Sequence, residues 1–335
     1  MIYLLLATVF FTAMLAYFRV ADHFSIIDKP NERSSHSRIT IRGGGVVFLV
    51  AALAALLLHP ALCWLPVLGI LVIGAISFLD DVYTLSNRIR IVFHILAVTL
   101  VFAYLGVFTA YPWYAVAGLY VLAIGIINAY NFMDGINGIT GLYSLVVLGG
   151  LQYVNYYRVA FIHPDMIWLP MLACVVFLFF NFRKRAACFA GDVGSVTIAC
   201  WVLTLLLQLI FQTGTWSYLL FLAVYGIDAV LTILHRLLLK QNIFKAHRLH
   251  FYQLLANEKK VPHLWISTAY AVLQALIITF VISGITASRL VTWLAVLLPP
   301  ALCYILVKPQ LMKARSVQPV KPSTNSCNQP LQTNT

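Results

Sequence analysis

Gly194-Ser-Val-Thr-Ile-Ala-Cys-Trp-Val-Leu-Thr-Leu-Leu-Leu-Gln-Leu-Ile-Phe-Gln212 carries no charged side chain. At a rise of ~1.5 Å per residue, a helix over this stretch reaches about as far as the ~30 Å hydrocarbon layer of a bilayer. Similar runs recur along the whole chain, near 1–20, 43–59, 62–79, 91–108, 112–128, 138–158, 166–181, 216–235, 264–284 and 290–307. With 194–212 they make eleven expected spans of an all-α, polytopic membrane protein. Composition agrees: 62% of the 335 residues are hydrophobic and 10% are charged, against about 25% charged in an ordinary soluble domain.

The net charge of +12 does not indicate a nucleic-acid partner. The basic residues lie between apolar runs, as membrane-orienting charges do, with no basic helix or aromatic-interleaved patch. With the N-terminus outside, the links 19–42, 80–90, 129–137, 182–193 and 236–263 and the tail after 307 face the cytoplasm. They hold 20 of the 22 Lys and Arg, and only Arg158 and Arg289 fall on the other side. The expected organisation is one transmembrane domain over 1–307 and a disordered cytoplasmic tail over 308–335, rich in Pro, Ser, Thr, Asn and Gln. Six cysteines without CxxC spacing indicate neither a zinc site nor a disulfide framework and read as small apolar fillers.

Ten acidic residues remain, and eight of them sit in the cytoplasmic links or at their edges. Asp80-Asp81 closes the third span. Adjacent carboxylates repel, so one is expected to hold a cation, pair with Arg88 or Arg90, or carry a raised pKa. Asn128, Asn131 and Asp134, at i, i+3 and i+6, can share one broad helix face, followed by Gly135 and Gly138. Asp192 opens the eighth span, either as a helix cap or as a Mg2+ ligand. His247-Arg248-Leu249-His250 lacks a third metal ligand and suits anion binding, as do Arg33, His36, Arg38 and Arg42. Gly43-Gly44-Gly45 is not a P-loop and suits close helix packing. Asp228 lies inside a span and needs a partner or a wet pocket; a structural interhelical hydrogen bond is the plainer reading.

Five strings in this order resemble the polyprenyl-phosphate N-acetylhexosamine-1-phosphate transferases. They are Asp28-x-Pro30-Asn31-x-Arg33-x-x-His36 leading to Gly43-Gly44, Asp80-Asp81, Asn128-x-x-Asn131-x-x-Asp134-Gly135, Gly191-Asp192-x-Gly194-Ser195, and His247-x-x-His250. The resemblance implies transfer of a HexNAc-1-phosphate from a UDP-N-acetylhexosamine to undecaprenyl phosphate, with UMP released. The product would start a lipid-linked surface glycan such as O-antigen, capsule or cell-wall polymer. It further implies Mg2+ (or Mn2+) as cofactor, a bacterial cytoplasmic membrane location and an active site facing the cytoplasm.

By the same resemblance, Asp80, Asp81 and Asp192 are the catalytic carboxylates, with Asp192 and Asp80 near the metal. Asn128, Asn131, Asp134, Arg33, His36, His247, Arg248 and His250 contact substrate. There are departures: His94 stands where relatives carry Gln, Arg183-Lys184-Arg185 where they carry prolines, and the 246–250 loop lacks the triple His of the lipid I enzyme. The last difference favours a plain UDP-HexNAc donor over a MurNAc-pentapeptide one. A transporter or flippase is the competing class, but it would carry its ionisable groups near mid-bilayer. The residues leave open which HexNAc is used and whether the chain forms a homodimer.

Overall fold

The computed structural model describes residues 1–28, 39–242, 248–284 and 288–316. They form an α-helical bundle: α1 (Ile2–His23), α2 (Val46–Leu58), α3 (Pro60–Tyr83), α4 (Asn87–Tyr104), the single turn α5 (Val107–Ala110) and α6 (Trp113–Met133). These are followed by α7 (Ile139–Tyr157), α8 (Asp165–Asn181), α9 (Gly191–Thr213), α10 (Ala223–Leu238), α11 (Phe251–Asn257), α12 (His263–Ser283) and α13 (Arg289–Ser316). Each of the eleven expected spans falls on a helix, the ninth as a 3-10 turn (Trp216–Leu222) running into α10. Among the described residues, eight helical stretches are long and apolar enough to cross a membrane, and α2 and α8 are shorter apolar helices.

The remaining helix, α7, is less apolar because it carries Thr140, Ser144, Gln152 and Asn155, all buried. Protein rather than lipid meets these groups: Asn155 bonds the backbone of Phe161 and Ile162, and Gln152 the Pro164 carbonyl.

The helix that opens the reading, α9, is the centre of the bundle. It is apolar all round, which for a membrane protein means a protein-lined position, and 94% of its apolar window is buried, against 17% for α13. It packs on α2, α3, α6 and α7, while α3 also packs on α4, and α7 on α8 and α12. Trp201, the largest fully buried side chain, is seated by donating from its indole nitrogen to the Met166 carbonyl at 2.9 Å.

The glycines act as close-packing residues. A Cβ on Gly45 would lie 1.9 Å from the Gly194 Cα, so the start of α2 meets the start of α9 backbone to backbone. The amides of Gly44 and Gly45 donate to the carbonyls of Phe189 and Ala190 at 2.7 and 3.0 Å. A two-residue antiparallel ladder, β1 (Ile27–Asp28) with β2 (Thr40–Ile41), brackets residues 29–38. At the other end of the chain, α13 continues as helix past 307, into the segment expected to be unstructured. Lys308 is buried there, within bonding distance of Thr232 and Tyr304.

Candidate active site

Three links and two helix ends converge at one end of the bundle. The last turn of α3 supplies Asp80 and Asp81, and α4 begins after a three-residue link with Ser86 as its N-cap. This short turn brings Arg90 back over the carboxylates. Its guanidinium lies 3.2 Å from Asp80 Oδ2 and 3.2 Å from Asp192 Oδ2. Of the two partners proposed for the aspartate pair, Arg88 and Arg90, the fold uses Arg90. Arg42, entering from β2, places Nε 2.7 Å from Asp81 Oδ1 and a terminal nitrogen 3.7 Å from Asp192 Oδ1. Burial works against the Arg42 charge, but the facing carboxylates outweigh it and raise its pKa.

The adjacent aspartates have different jobs. Asp81 is wholly buried as a side chain. Its two oxygens accept the backbone N–H groups of Asp192 and Val193, both at 3.0 Å. Those are donors that the first turn of α9 cannot satisfy internally, and a carboxylate there also meets the positive end of the helix dipole. Asp81 therefore fixes the start of α9, and with it the Asp192 side chain. Gly191 has φ +72°, and a Cβ on it would lie 2.5 Å from Asp81 Oδ2, so the residue before Asp192 has to be glycine. Asp80 is less committed: Oδ1 accepts the Leu85 amide at 2.6 Å and Oδ2 meets Arg90. The Asp80 and Asp192 carboxyls come within hydrogen-bonding reach of each other.

Asn131 joins this group. Its amide donates to Asp192 Oδ1 at 3.0 Å and to Ser195 Oγ at 3.1 Å. Asp134, at the end of α6, accepts from Thr140 Oγ1 at 2.7 Å. Burial pushes the Asp134 carboxyl up to about 7; the Thr140 bond opposes this, and the charges of Asp192 and Asp81 add to it. Asn128 is not brought in, because its amide donates to the Ile124 carbonyl of its own helix at 2.9 Å. The Asn-Asn-Asp face expected from spacing is thus split: one Asn reaches the carboxylates and the other serves α6.

His250 is buried and lies on a neighbouring scaffold. Asp228 accepts the Phe251 amide at 2.9 Å, the Tyr270 hydroxyl at 2.8 Å and the Thr232 hydroxyl at 3.2 Å, and lies 3.4 Å from His250 Nδ1. The partner expected for Asp228 is therefore the start of α11 and the histidine preceding it. Tyr252 ties α11 to the motif on α6 by donating to the Phe132 carbonyl at 2.9 Å. Gly135 leaves room for this, since a Cβ there would lie 2.3 Å from the Tyr252 hydroxyl. Arg248 is half-buried at the entry to this scaffold. Arg33, His36 and His247 lie outside the described residues.

The site holds two residues that the sequence did not single out, Tyr252 and Tyr270, beside Arg90, Arg42 and Ser195, which it did. For the arginines the signal was charge balance, since a cluster of carboxylates at a membrane face needs cations beside it. No pattern in the sequence marks the tyrosines.

The donor set suits a hard divalent cation. Asp192 and Asp80 offer oxygens without thiol or imidazole, and the Arg90 guanidinium that bridges them marks the point at which positive charge is held.

The family model for glycosyl transferase family 4 matches residues 63–210, the stretch that carries Asp80, Asp81, Asn131, Asp134 and Asp192. The chain is 24% identical over 299 residues to the probable undecaprenyl-phosphate N-acetylglucosaminyl 1-phosphate transferase of Bacillus subtilis (strain 168), covering 83% of this chain and 81% of that protein. It is 28% identical over 212 residues to the undecaprenyl-phosphate alpha-N-acetylglucosaminyl 1-phosphate transferase of Yersinia pestis, covering 57% of each. To the phospho-N-acetylmuramoyl-pentapeptide-transferase of Lactobacillus acidophilus it is 25% identical over 279 residues, covering 73% of this chain and 85% of the relative. The segment in which the chain is similar to glycosyl transferase family 4 is thus the one that holds the carboxylate cluster, at one end of an all-helical membrane bundle.

Proposed function

We propose that the protein transfers a HexNAc-1-phosphate from a UDP-N-acetylhexosamine to undecaprenyl phosphate, at the cytoplasmic face of a bacterial inner membrane. The observation that carries this reading is the meeting of Asp80, Asp192 and Asn131 under Arg90 and Arg42. An oxygen of the lipid phosphate forms a new bond to the sugar-linked phosphorus. The phosphoanhydride bond breaks, and UMP leaves with the electron pair. Both substrates are anionic and no carbon bond changes, so the protein's task is to align them and to neutralise charge.

Residue roles follow from the contacts. Asp192, aimed by Asn131 and by the Asp81-capped start of α9, would hold Mg2+ together with Asp80. When bound, the ion supplies positive charge to the diphosphate and leaves its other coordination positions to water and phosphate oxygens. Arg42 and Arg90 are the fixed cations beside it and suit phosphate oxygens by their fork geometry. His250, at the start of the α11 that Asp228 holds and Tyr252 ties to α6, would meet the sugar diphosphate together with Arg248. Asp81, saturated by two amides and Arg42, acts as a positioning residue.

The test is a membrane assay with a panel of radiolabelled UDP-sugars, scored for butanol-extractable lipid product. Wild-type membranes should also exchange labelled UMP into the UDP-sugar when lipid phosphate is present. Asp192→Asn keeps the size and hydrogen bonding of the side chain but removes its charge. Activity should fall by orders of magnitude with the protein still in the membrane, and EDTA should do the same to wild type. Full activity of Asp192→Asn, or turnover undiminished in EDTA, removes Asp192 and the metal from the site.

A further inference from the structure

At the opposite end of the bundle a second group of ligand-bearing side chains is assembled, and the proposed transfer reaction does not use it. His59, in the turn between α2 and α3, places Nε2 2.7 Å from Asp165 Oδ2. His163, in the link before α8, places Nδ1 3.8 Å from the same oxygen. The two imidazole rings lie 4.2 Å apart between centroids. One nitrogen from each histidine and one carboxylate oxygen all lie within 4.8 Å of one another. The twenty residues of α3 that separate Pro60 from Asp80 span about 30 Å at ~1.5 Å each. This group therefore sits a membrane thickness away from the aspartate site.

Three features distinguish it from a surface ion pair. Its members come from segments more than 100 residues apart in sequence, so the fold itself brings them together. The Asp165 amide donates to His163 Nδ1 at 3.3 Å, so this is the unprotonated nitrogen of the ring, and a metal bound there would take the place of that long hydrogen bond. The other carboxylate oxygen, Asp165 Oδ1, accepts the Tyr3 hydroxyl from the first turn of α1. That arrangement is the outer hydrogen bond which orients a ligating carboxylate and leaves one oxygen for a metal.

We infer that His59, His163 and Asp165 form a binding site for a borderline divalent cation of the Zn2+ class, held by two imidazole nitrogens and one carboxylate oxygen. Nitrogen-rich donor sets favour such ions over Mg2+ and Ca2+, which take oxygen. Three protein ligands leave a fourth position to water. The ion would replace the proton that His59 and Asp165 now share, and would clamp α1, the α2–α3 turn and the start of α8 at a single point.

The experiment uses the full chain in nanodiscs, stripped with EDTA, supplied with excess Mg2+ and titrated with Zn2+. Wild type and Asp192→Asn should each take up one equivalent, and zinc should raise the melting temperature of both. The His163 side chain is 42% exposed, so His163→Ala should fold; it should bind Zn2+ at least tenfold more weakly and lose the thermal shift. His59→Gln, which keeps a hydrogen-bonding side chain, should behave likewise. Co2+ in place of Zn2+ should give the visible absorption of a four-coordinate site in wild type and not in either histidine variant. Equal zinc uptake by wild type and both histidine variants, or no uptake by wild type, overturns the site.

Discussion

Asp228→Asn separates the anchoring of the His250 scaffold from the chemistry at Asp192. The carboxylate accepts two short hydrogen bonds, from the Phe251 amide at 2.9 Å and the Tyr270 hydroxyl at 2.8 Å. A longer one comes from the Tyr252 amide at 3.4 Å. Bonds to a charged acceptor contribute ~1.5–3 kcal/mol each, against ~1 for neutral ones. Asparagine keeps one acceptor oxygen, which can hold Phe251, and the Tyr270 hydroxyl can turn to accept from the new amide. What is lost is the charge assistance on two bonds, plus a donor facing a donor at Tyr252. Together these come to about 2 kcal/mol, or roughly a 30-fold shift towards the undocked scaffold.

Two measurements read this shift. Amide hydrogen exchange at Phe251 and Tyr252 should accelerate by about that factor, because the local opening free energy falls by the same amount. Transferase activity should drop by up to the same factor, with membrane levels and Mg2+ dependence unchanged. Unaltered exchange at both amides in the variant would refute the anchoring role. Altered exchange with full activity would detach the scaffold from catalysis.

Other outcomes follow from the same contacts. Gly45→Ala places a Cβ against the Gly194 backbone, where no flexible side chain can give way, so a loss of about 1–3 kcal/mol is expected as a lowered melting temperature in detergent. Tyr252→Phe removes the bond to the Phe132 carbonyl and should cost about 0.5–1.5 kcal/mol of stability while leaving metal dependence intact. Orientation can be read from two exposed positions at opposite ends of the bundle, Tyr83 and Trp113. In a cysteine-free background, Trp113→Cys should react with an impermeant maleimide on intact cells and Tyr83→Cys only after permeabilisation; the reverse pattern inverts the proposed topology. Native Cys188 cannot serve, because it is buried.

The helices were legible because a bilayer demands long apolar runs and leaves little freedom in how to write them. The carboxylates were legible for the complementary reason: in a chain with ten acidic residues, the position of each carries information. What stayed hidden depends on backbone groups or on distance along the chain. Asp81 and Asp80 look alike as neighbours, and they are told apart only by the amides of residues 192 and 193, more than 100 positions away. Asp228 could be flagged as needing a partner, but its main partners are two amides and a tyrosine hydroxyl, which no motif encodes. The i, i+3, i+6 spacing puts three polar groups on one face but does not say what each bonds, and the Asn128 amide turns back to its own helix. The end of α13 was placed early because the stretch after 307, taken whole, is rich in Pro, Ser, Thr, Asn and Gln, while Lys308 is buried against α10 and the helix runs on.

The shortness of α2 bears on what lies beneath the carboxylate cluster. α2 ends and α3 begins at the turn at His59, but from that turn α2 extends 13 residues back to Gly45 while α3 extends 20 residues, Pro60 to Leu79, before Asp80. At ~1.5 Å per residue, α2 ends about 10 Å lower. Residues 42–45 bridge the step, letting Arg42 reach Asp81 from below. The step is filled rather than open, because Gly43, Gly44 and Gly45 are buried against Cys188, Ala190 and Gly194. The carboxylate cluster therefore rests on a closed backbone floor, which fixes Arg42 and, through it, Asp81.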